Sequence, residues 1–469
     1  MDASNVFIFP REKDITGEVV SDFISKHQGK LSRYKRLMGM YKGLHEILSQ
    51  KKKEAFKPDN RLVVNFAKYI VDTLNGYFIG KPIRITHQNT EISDRVNDLL
   101  KRNDQDDNNS ELSKLCSIYG HAYEFLYQDE QAETCITYNG PLDMFLVYDD
   151  TIAQKPLFGV YYKKTEDGYS GSVYTAEQEY VIVQSDDGIT LQNGKPNVYG
   201  DVPIIEYIEN EERQSAFENV ETLINAYNKA VSEKANDVDY FADAYMKILG
   251  AEIKQESLRS IRDNRIINLF GRDVDATKII VEFMEKPSAN ETQENLIDRL
   301  ERLIYQMSMV SNINDEDFGN ASGVSLAFKL QYMENLALMK ERKFTSAMNK
   351  RFSMIFALPT NISPADKDEW RNLEYIITRN IPHNTKEEAE TVSLLEGIIS
   401  KEDQLKLLSS ISNVKEAIER LKKEREESSS YPDEFGGGID GEQGILGETA
   451  DSTVEASGEE RETNAGKVG

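Results

Sequence analysis

Two spacings of apolar residues alternate along this chain. From residue 17 to 56, and again from Leu62 to Leu74, they recur every three or four positions and predict helices. The second tract reaches Asn75-Gly76, an expected C-cap. A charged helix is predicted near 92–103, and "KRNDQDDNNSEL" after it reads as a turn with Asn or Ser capping the next helix. From His121 to Glu209 the spacing changes to short β-type runs such as "AYEFLY", "DMFLVYD", "FGVYYKK" and "EYVIVQ". Asp167-Gly168, Asp187-Gly188 and Asn193-Gly194 are hairpin signals between them, so an antiparallel, tyrosine-rich sheet is expected.

Helical spacing returns near Glu218. Val220, Ile224, Tyr227, Val231, Ala235, Val238, Phe241, Tyr245 and Ile248 form one stripe. At ~1.5 Å per residue it predicts a rod on the order of 45–50 Å, stopping at Gly250. A short helix near 255–263 and the strand-like "RIINLF" and "KIIVEFME" predict a small α/β insert. Leu296, Leu300, Leu303, Met307 and Val310 then restore a rod at heptad spacing. A polar loop at 311–323 follows, then a long helix over 324–358, the β-type "NLEYIITRNIP" and a helical domain over 385–427. Past Ser428 the composition is Ser, Gly and acid, expected to be disordered; its ten acidic and two basic residues give a net charge of −8. The fold class expected is α+β, predominantly helical, and 469 residues call for two to four domains.

The whole chain carries 81 acidic against 56 basic residues, a net charge of −25, which argues against stable attachment to nucleic acid. The exception is the basic stretch "SKHQGKLSRYKRLMGMYKGLHEIL" with "KKK" at 51–53, where a solvated helix face is the simpler reading and a patch for an acidic partner the sharper one. Cys116 and Cys135 have no metal or disulfide spacing and are expected as buried free thiols. The start, "MDASNVFIFPREKD", does not read as a signal peptide, and no apolar run of about 18 residues would span a membrane.

Catalytic motifs fail on context. Asp317-Phe318-Gly319 spells the kinase magnesium motif without a catalytic loop or Gly-rich loop to serve it. Gly436, Gly438 and Gly441 fit GxGxxG but lie in the acidic tail, and Gly76, Gly80 and Lys81 are too closely spaced for a phosphate loop. The "KRNDQDDNNSEL" stretch fails as an EF-hand, because Asn109 stands where the loop needs Gly and Leu115 where it needs Glu. Histidines 27, 45, 87, 121 and 383 show no ligand spacing. No enzymatic role, cofactor or metal is expected.

The loop is longer than the usual helix connector of about two to eight residues. Asp315, Glu316 and Asp317 repel phosphate; Asn312, Asn314, Asn320 and Ser322 can donate transient hydrogen bonds; Gly319 and Gly323 allow hinge motion. By itself it reads as an ordinary inter-helix connector rather than a functional one.

The order of elements decides. "FIGKPIRI" at 78–85, residues 202–250, "NDEDFGNASGVSLAFKLQYMENLALMKERKF" at 314–344 and "ITRNIPHNTKEEAETVSLLEGIIS" at 377–400 resemble the portal proteins of tailed double-stranded DNA phages, the siphophage type of Gram-positive hosts. The resemblance covers roughly 20–427 and implies a portal fold. Residues 1–19 would be an N-terminal arm, 20–217 with 311–384 the wing, 218–249 with 291–310 the two-helix stem, 250–290 the α/β clip and 385–427 the crown, ahead of the tail at 428–469. It implies a ring, typically a dodecamer, at one capsid vertex of the virion, assembled in the host cytoplasm, through which DNA is packaged and ejected.

The same resemblance makes 311–323 a tunnel loop touching DNA through Asn312, Asn314, Asp315, Glu316, Asp317, Phe318, Gly319, Asn320 and Ser322. It places Arg262, Arg265, Arg272 and Asp273 on a clip facing terminase and adaptor. Ile224, Tyr227, Val231, Phe241, Leu296, Leu300, Leu303 and Met307 become stem packing residues. The partners implied are further copies of the chain, double-stranded DNA, the terminase large subunit, scaffolding and major capsid proteins and a head-completion adaptor, with no membrane. The alternative is a structural head adaptor or scaffold ring that never contacts DNA.

Overall fold

The computed structural model describes residues 6–54, 57–166, 168–242, 246–249, 266–269, 280–283, 290–313, 323–381, 385–408, 411 and 414–429. The chain divides into two compact units, 1–382 and 383–469. The fold is α+β, and among the described strands every pairing is antiparallel except two.

The first unit opens with strand β1 (Phe7–Phe9), helices α1 (Gly17–Tyr41), α2 (Glu46–Ser49) and α3 (Phe66–Ile79), strand β2 (Arg84–Thr86), and helices α4 (Thr90–Arg102) and α5 (Gln105–Tyr119). Side chains close the exposed N–H groups at their starts: Thr16 accepts from Val19, Asn65 from Lys68 and Asn89 from Glu91. Strands β3 (His121–Gln128), β4 (Thr134–Asn139), β5 (Met144–Asp149), β6 (Pro156–Thr165), β7 (Gly168–Tyr174), β8 (Gln178–Ser185), β9 (Gly188–Pro196) and β10 (Ile204–Ile208) follow. They build a six-stranded sheet in the order β1-β5-β6-β7-β8-β9 and a three-stranded one in the order β10-β3-β4. Helix α1 covers the larger sheet, packing Val20, Phe23 and Ile24 on Phe145, Val147 and Phe158.

Next come α6 (Glu221–Ala242), strands β11 (Met246–Leu249), β12 (Ile266–Leu269) and β13 (Ile280–Phe283), α7 (Asn290–Ser308), α8 (Gly323–Ala357) and β14 (Glu374–Ile376), which pairs with β2. The second unit holds α9 (Thr385–Leu394), α10 (Lys401–Lys406), capped by Ser400, and α11 (Val414–Ser429).

Six features differ from the sequence reading. The helical tract expected over 17–56 ends at Tyr41, resumes only over Glu46–Ser49 and is extended at Gln50. Helix α3 runs through Asn75-Gly76 to Ile79, because Asn75 is buried and donates to Ser110 O while Tyr77, Phe78 and Ile79 enter the core. The turn expected over 101–112 shrinks to two residues: α4 runs to Arg102, Asp104 takes a left-handed φ of 47° and α5 starts at the next residue. Asn193-Gly194 lies inside β9, where a register irregularity opposite Gln178–Tyr180 absorbs it as a bulge instead of a hairpin. The rod of α6 ends at Ala242, about 33 Å long, and Ile248 belongs to β11, the centre of a sheet in the order β12-β11-β13. Cys116 is buried as expected, but Cys135 is only half-buried. The short helix expected near 255–263 and the acidic tail lie outside the described residues.

Helix α8 crosses the core carrying two buried cations eleven residues apart, so they share one face. Arg351, with no solvent exposure, sits 2.6 Å from Glu124 and donates to Asn109. Lys340 sits 2.7 Å from Glu209 and bonds Ser117 Oγ and Ser113 O. Removing one member of such a pair leaves an uncompensated charge in the core. Arg351→Ala should therefore cost about 3–5 kcal/mol in chemical denaturation; a loss under about 1 kcal/mol, the level of an exposed pair, would contradict this.

His27 shows the packing under α1. Its Nε2–H donates to Pro141 O at 2.9 Å, so its Nδ1 accepts from Tyr162 Oη at 2.8 Å, and the ring is the neutral tautomer. Burial lowers its pKa to about 4. The unfolded chain takes up this proton near pH 6.5, so the native state binds fewer protons between those values and stability falls as pH drops from about 6.5 to 4. Wild type should lose up to about 3 kcal/mol more than His27→Gln across that window and nothing extra above it. Parallel stability curves for the two proteins would refute the assignment.

Candidate functional site

Helices α6 and α7 run antiparallel as a pair. Ile224 and Tyr227 of α6 join Ile297, Leu300 and Ile304 of α7 in the main core. Polar links repeat along the seam: Asn219 Nδ2 donates to Met307 O at 2.8 Å, Gln293 Nε2 to Asp237 at 2.8 Å, and Lys234 pairs with Glu294.

A second face of α6 holds an extended strap over residues 60–64. Asn228, Ser232 and Asn236, one turn apart and all buried, accept from the backbone N–H of Val64 (2.8 Å), Leu62 (2.9 Å) and Asn60 (2.6 Å). The match is geometric. Four helical residues rise about 6.0 Å and two extended residues about 6.6 Å, so alternate strap amides meet successive rungs. Proline at 58 has no N–H, and α3 begins at Phe66, so a slipped register would lose a rung at one end. Lys53 adds an ion pair to Glu233 at 2.6 Å.

The foot of the polar loop is anchored on α3. Met309 takes a left-handed φ of 58° just beyond α7, Val310 is buried, and Ser311 Oγ donates to Lys329 O of α8 at 2.8 Å. Tyr69 Oη donates to Ser311 O at 3.1 Å and accepts from Ile313 N at 3.0 Å. Tyr69 is held by an edge contact to Tyr305, which also meets Phe66. The loop therefore leaves a rigid aromatic base.

Of the sequence-named residues, Asn312 lies beside this foot; Asn314, Asp315, Glu316, Asp317, Phe318, Gly319, Asn320 and Ser322 fall outside the described residues, as do Arg262, Arg265, Arg272 and Asp273. Ile224, Tyr227 and Leu300 are buried; Val231 and Leu303 are half-buried; the side chain of Phe241 lies outside the description. Leu296 and Met307 point outward at 50% and 46% exposure, because the buried stripe of α7 runs through Ile297, Leu300 and Ile304. Outward apolar groups continue at Val238 on α6 and at Phe328, Tyr332 and Met339 on one face of α8. The strap rungs were missed, although three uncharged polar residues at four-residue steps in a helix were a readable signal.

Among the described residues no cluster of metal-ligating side chains exists, and no helix is long and apolar enough to cross a membrane. The arrangement is that of a framework chain: paired rods, a braced loop and apolar faces left outward. The family described as "Phage portal protein, SPP1 Gp6-like" matches residues 21–431, and the chain belongs to it. Its function is accordingly that of a phage portal. It is similar to the portal protein of Bacillus phage SPP1, 24% identical over 412 residues that cover 83% of this chain and 80% of the relative. The portal protein of Clostridium phage phiCD119 is 22% identical over 408 residues, 80% of this chain and 88% of the relative. A solved neck of an empty GTA particle aligns with a TM-score of 0.44 at 10% identity, covering 73% of this chain and 89% of that one, too distant to carry a conclusion.

Two substitutions test the bracing. Tyr69→Phe removes the two hydrogen bonds that Tyr69 makes at the loop foot, and amide exchange at Ile313 should rise about tenfold. Asn228→Ala with Asn236→Ala should do the same for Asn60 and Val64, leaving the α6 amides unchanged. Unaltered exchange at these positions would show that packing alone holds strap and loop.

Proposed function

We propose that the chain is one protomer of a closed ring at a capsid vertex, through which double-stranded DNA is packaged and later ejected. In this reading α6 and α7 form the stem, the strands at 246–283 belong to the clip, the sheets with α1–α5 and α8 form the wing, and 385–427 forms the crown. The loop at 311–323 brushes the DNA, with Asn312, Asn314, Asn320 and Ser322 offering brief hydrogen bonds while Asp315, Glu316 and Asp317 prevent a lasting grip. The clip, through Arg262, Arg265, Arg272 and Asp273, receives the terminase large subunit during filling and a head-completion adaptor afterwards. Scaffolding and major capsid proteins surround the wing, and the ATPase chemistry belongs to the terminase.

The observation that carries this reading is the apolar line left outward on the rods. Val238, Leu296 and Met307, with Phe328 and Tyr332 on α8, are between 46% and 70% exposed in a chain of net charge −25. Such faces need cover, and like-charged copies can close a ring only where apolar burial outweighs repulsion.

Deleting Asn314 to Asn320 tests the conduit role. Rings should still assemble, while the fraction of heads filled with DNA collapses. Normal filling would favour the head-adaptor reading, in which the ring never touches DNA.

A further inference from the structure

The acidic stretch at 104–107 and the lysines at 51 and 52 are charged segments that nothing within the described chain pairs. The first rims a cleft of about 700 Å³ whose wall is residues 82–86 leading through β2 and whose other side is α4. Among the described strands β2 pairs only with β14, so one of its edges has no strand beside it. Gln105 also lines the cleft and is 2% exposed. Its Nε2 donates to Asn109 and Glu124, and its Oε1 has no hydrogen-bond partner. Gln105 Oε1 is sealed from the cleft, so recognition falls to the open strand edge and the carboxylates at the rim, which together call for an extended segment that brings backbone hydrogen-bonding groups and positive charge.

The rim is mixed: Asp104, Asp106 and Asp107 stand against Arg84 and Lys101. Asp104, Asp106 and Asp107 are exposed, and among the described residues none holds an ion pair, so the excess charge available to a ligand is negative.

The lysine run supplies the complement. Gln50 ends α2 in extended geometry, with φ −63° and ψ 153°, and residues 51–54 continue without helix or strand. Lys53 ties this segment to Glu233 on α6, while Lys51 and Lys52 are exposed and hold no ion pair among the described residues. Within one chain no described ion pair joins them to the acidic rim.

We propose that the cleft between β2 and α4 receives the Gln50–Lys53 segment of the next copy in the ring, with Lys51 and Lys52 against Asp104, Asp106 and Asp107. A closed ring of identical copies needs two different, complementary patches on each, and this pair meets that need by charge and by shape. The inference rests on the ring reading above.

Charge reversal tests it, with assembly followed at low salt by light scattering and circular dichroism checking the fold. Lys51→Glu with Lys52→Glu should raise the concentration needed for assembly about tenfold, as should Asp106→Lys with Asp107→Lys. All four changes together should return it to within about threefold of wild type. That rescue cannot come from a folding defect, which would add. Assembly indifferent to both reversals, or reversals without rescue, would overturn the cleft assignment and leave the ring intact. A free Lys-Lys peptide that binds the cleft without disturbing assembly would assign it to another partner and also overturn the proposal. A wild-type chain that never assembles would defeat the ring reading itself.

Discussion

The placement of α8 rests on two buried cations. Its 35 residues carry apolar groups on more than one side, with Met333 and Phe352 inside and Phe328 and Tyr332 outside, so apolar burial alone leaves its rotation and register loosely set. Arg351 against Glu124 and Lys340 against Glu209 remove that freedom, because any other register would strand a charge in the core. Gly120 helps to build the receiving side. It ends α5 at a φ of 91°, where a Cβ would lie 2.0 Å from Arg213 O, so the chain can turn back and bring Glu209 beside Ser117.

From that anchor the geometry propagates to the loop. Ser311 hangs from Lys329 at the N-terminal end of α8, and Tyr69 fixes the other side through α3. The strap on α6 runs directly into Asn65, which caps α3 and accepts from His45 Nε2, so α3 is tied to α6. The loop foot, α6 and the helical core are thus joined through a few polar contacts with defined geometry, whereas the apolar surface left over faces outward. The division is between firm polar positioning inside the chain and apolar faces that the single chain does not bury.

Much of this was legible in the sequence where local chemistry and tertiary demand agree. Asp187-Gly188 does turn between β8 and β9, α4 falls where its charged pattern places it, and the middle tract is an antiparallel sheet. The misses share one cause, a local signal overruled by packing. Asn75-Gly76 would end an isolated helix, but three large residues beyond it are drawn into the core. Asn193-Gly194 would turn a hairpin, but its neighbours are already paired to β8. Leu296 and Met307, read as stem packing residues, lie outward because a heptad count does not say which apolar positions of a helix the chain itself buries. The cations of α8 could not be assigned partners in advance, since Glu124 and Glu209 lie more than a hundred residues away.

Native mass spectrometry of the purified chain across a range of protein concentrations tests the central claim most directly. A closed ring predicts one dominant species at a fixed multiple of the 53.4 kDa protomer, unchanged in copy number as concentration rises. A persistent monomer, or a ladder of oligomers that lengthens with concentration, would contradict it.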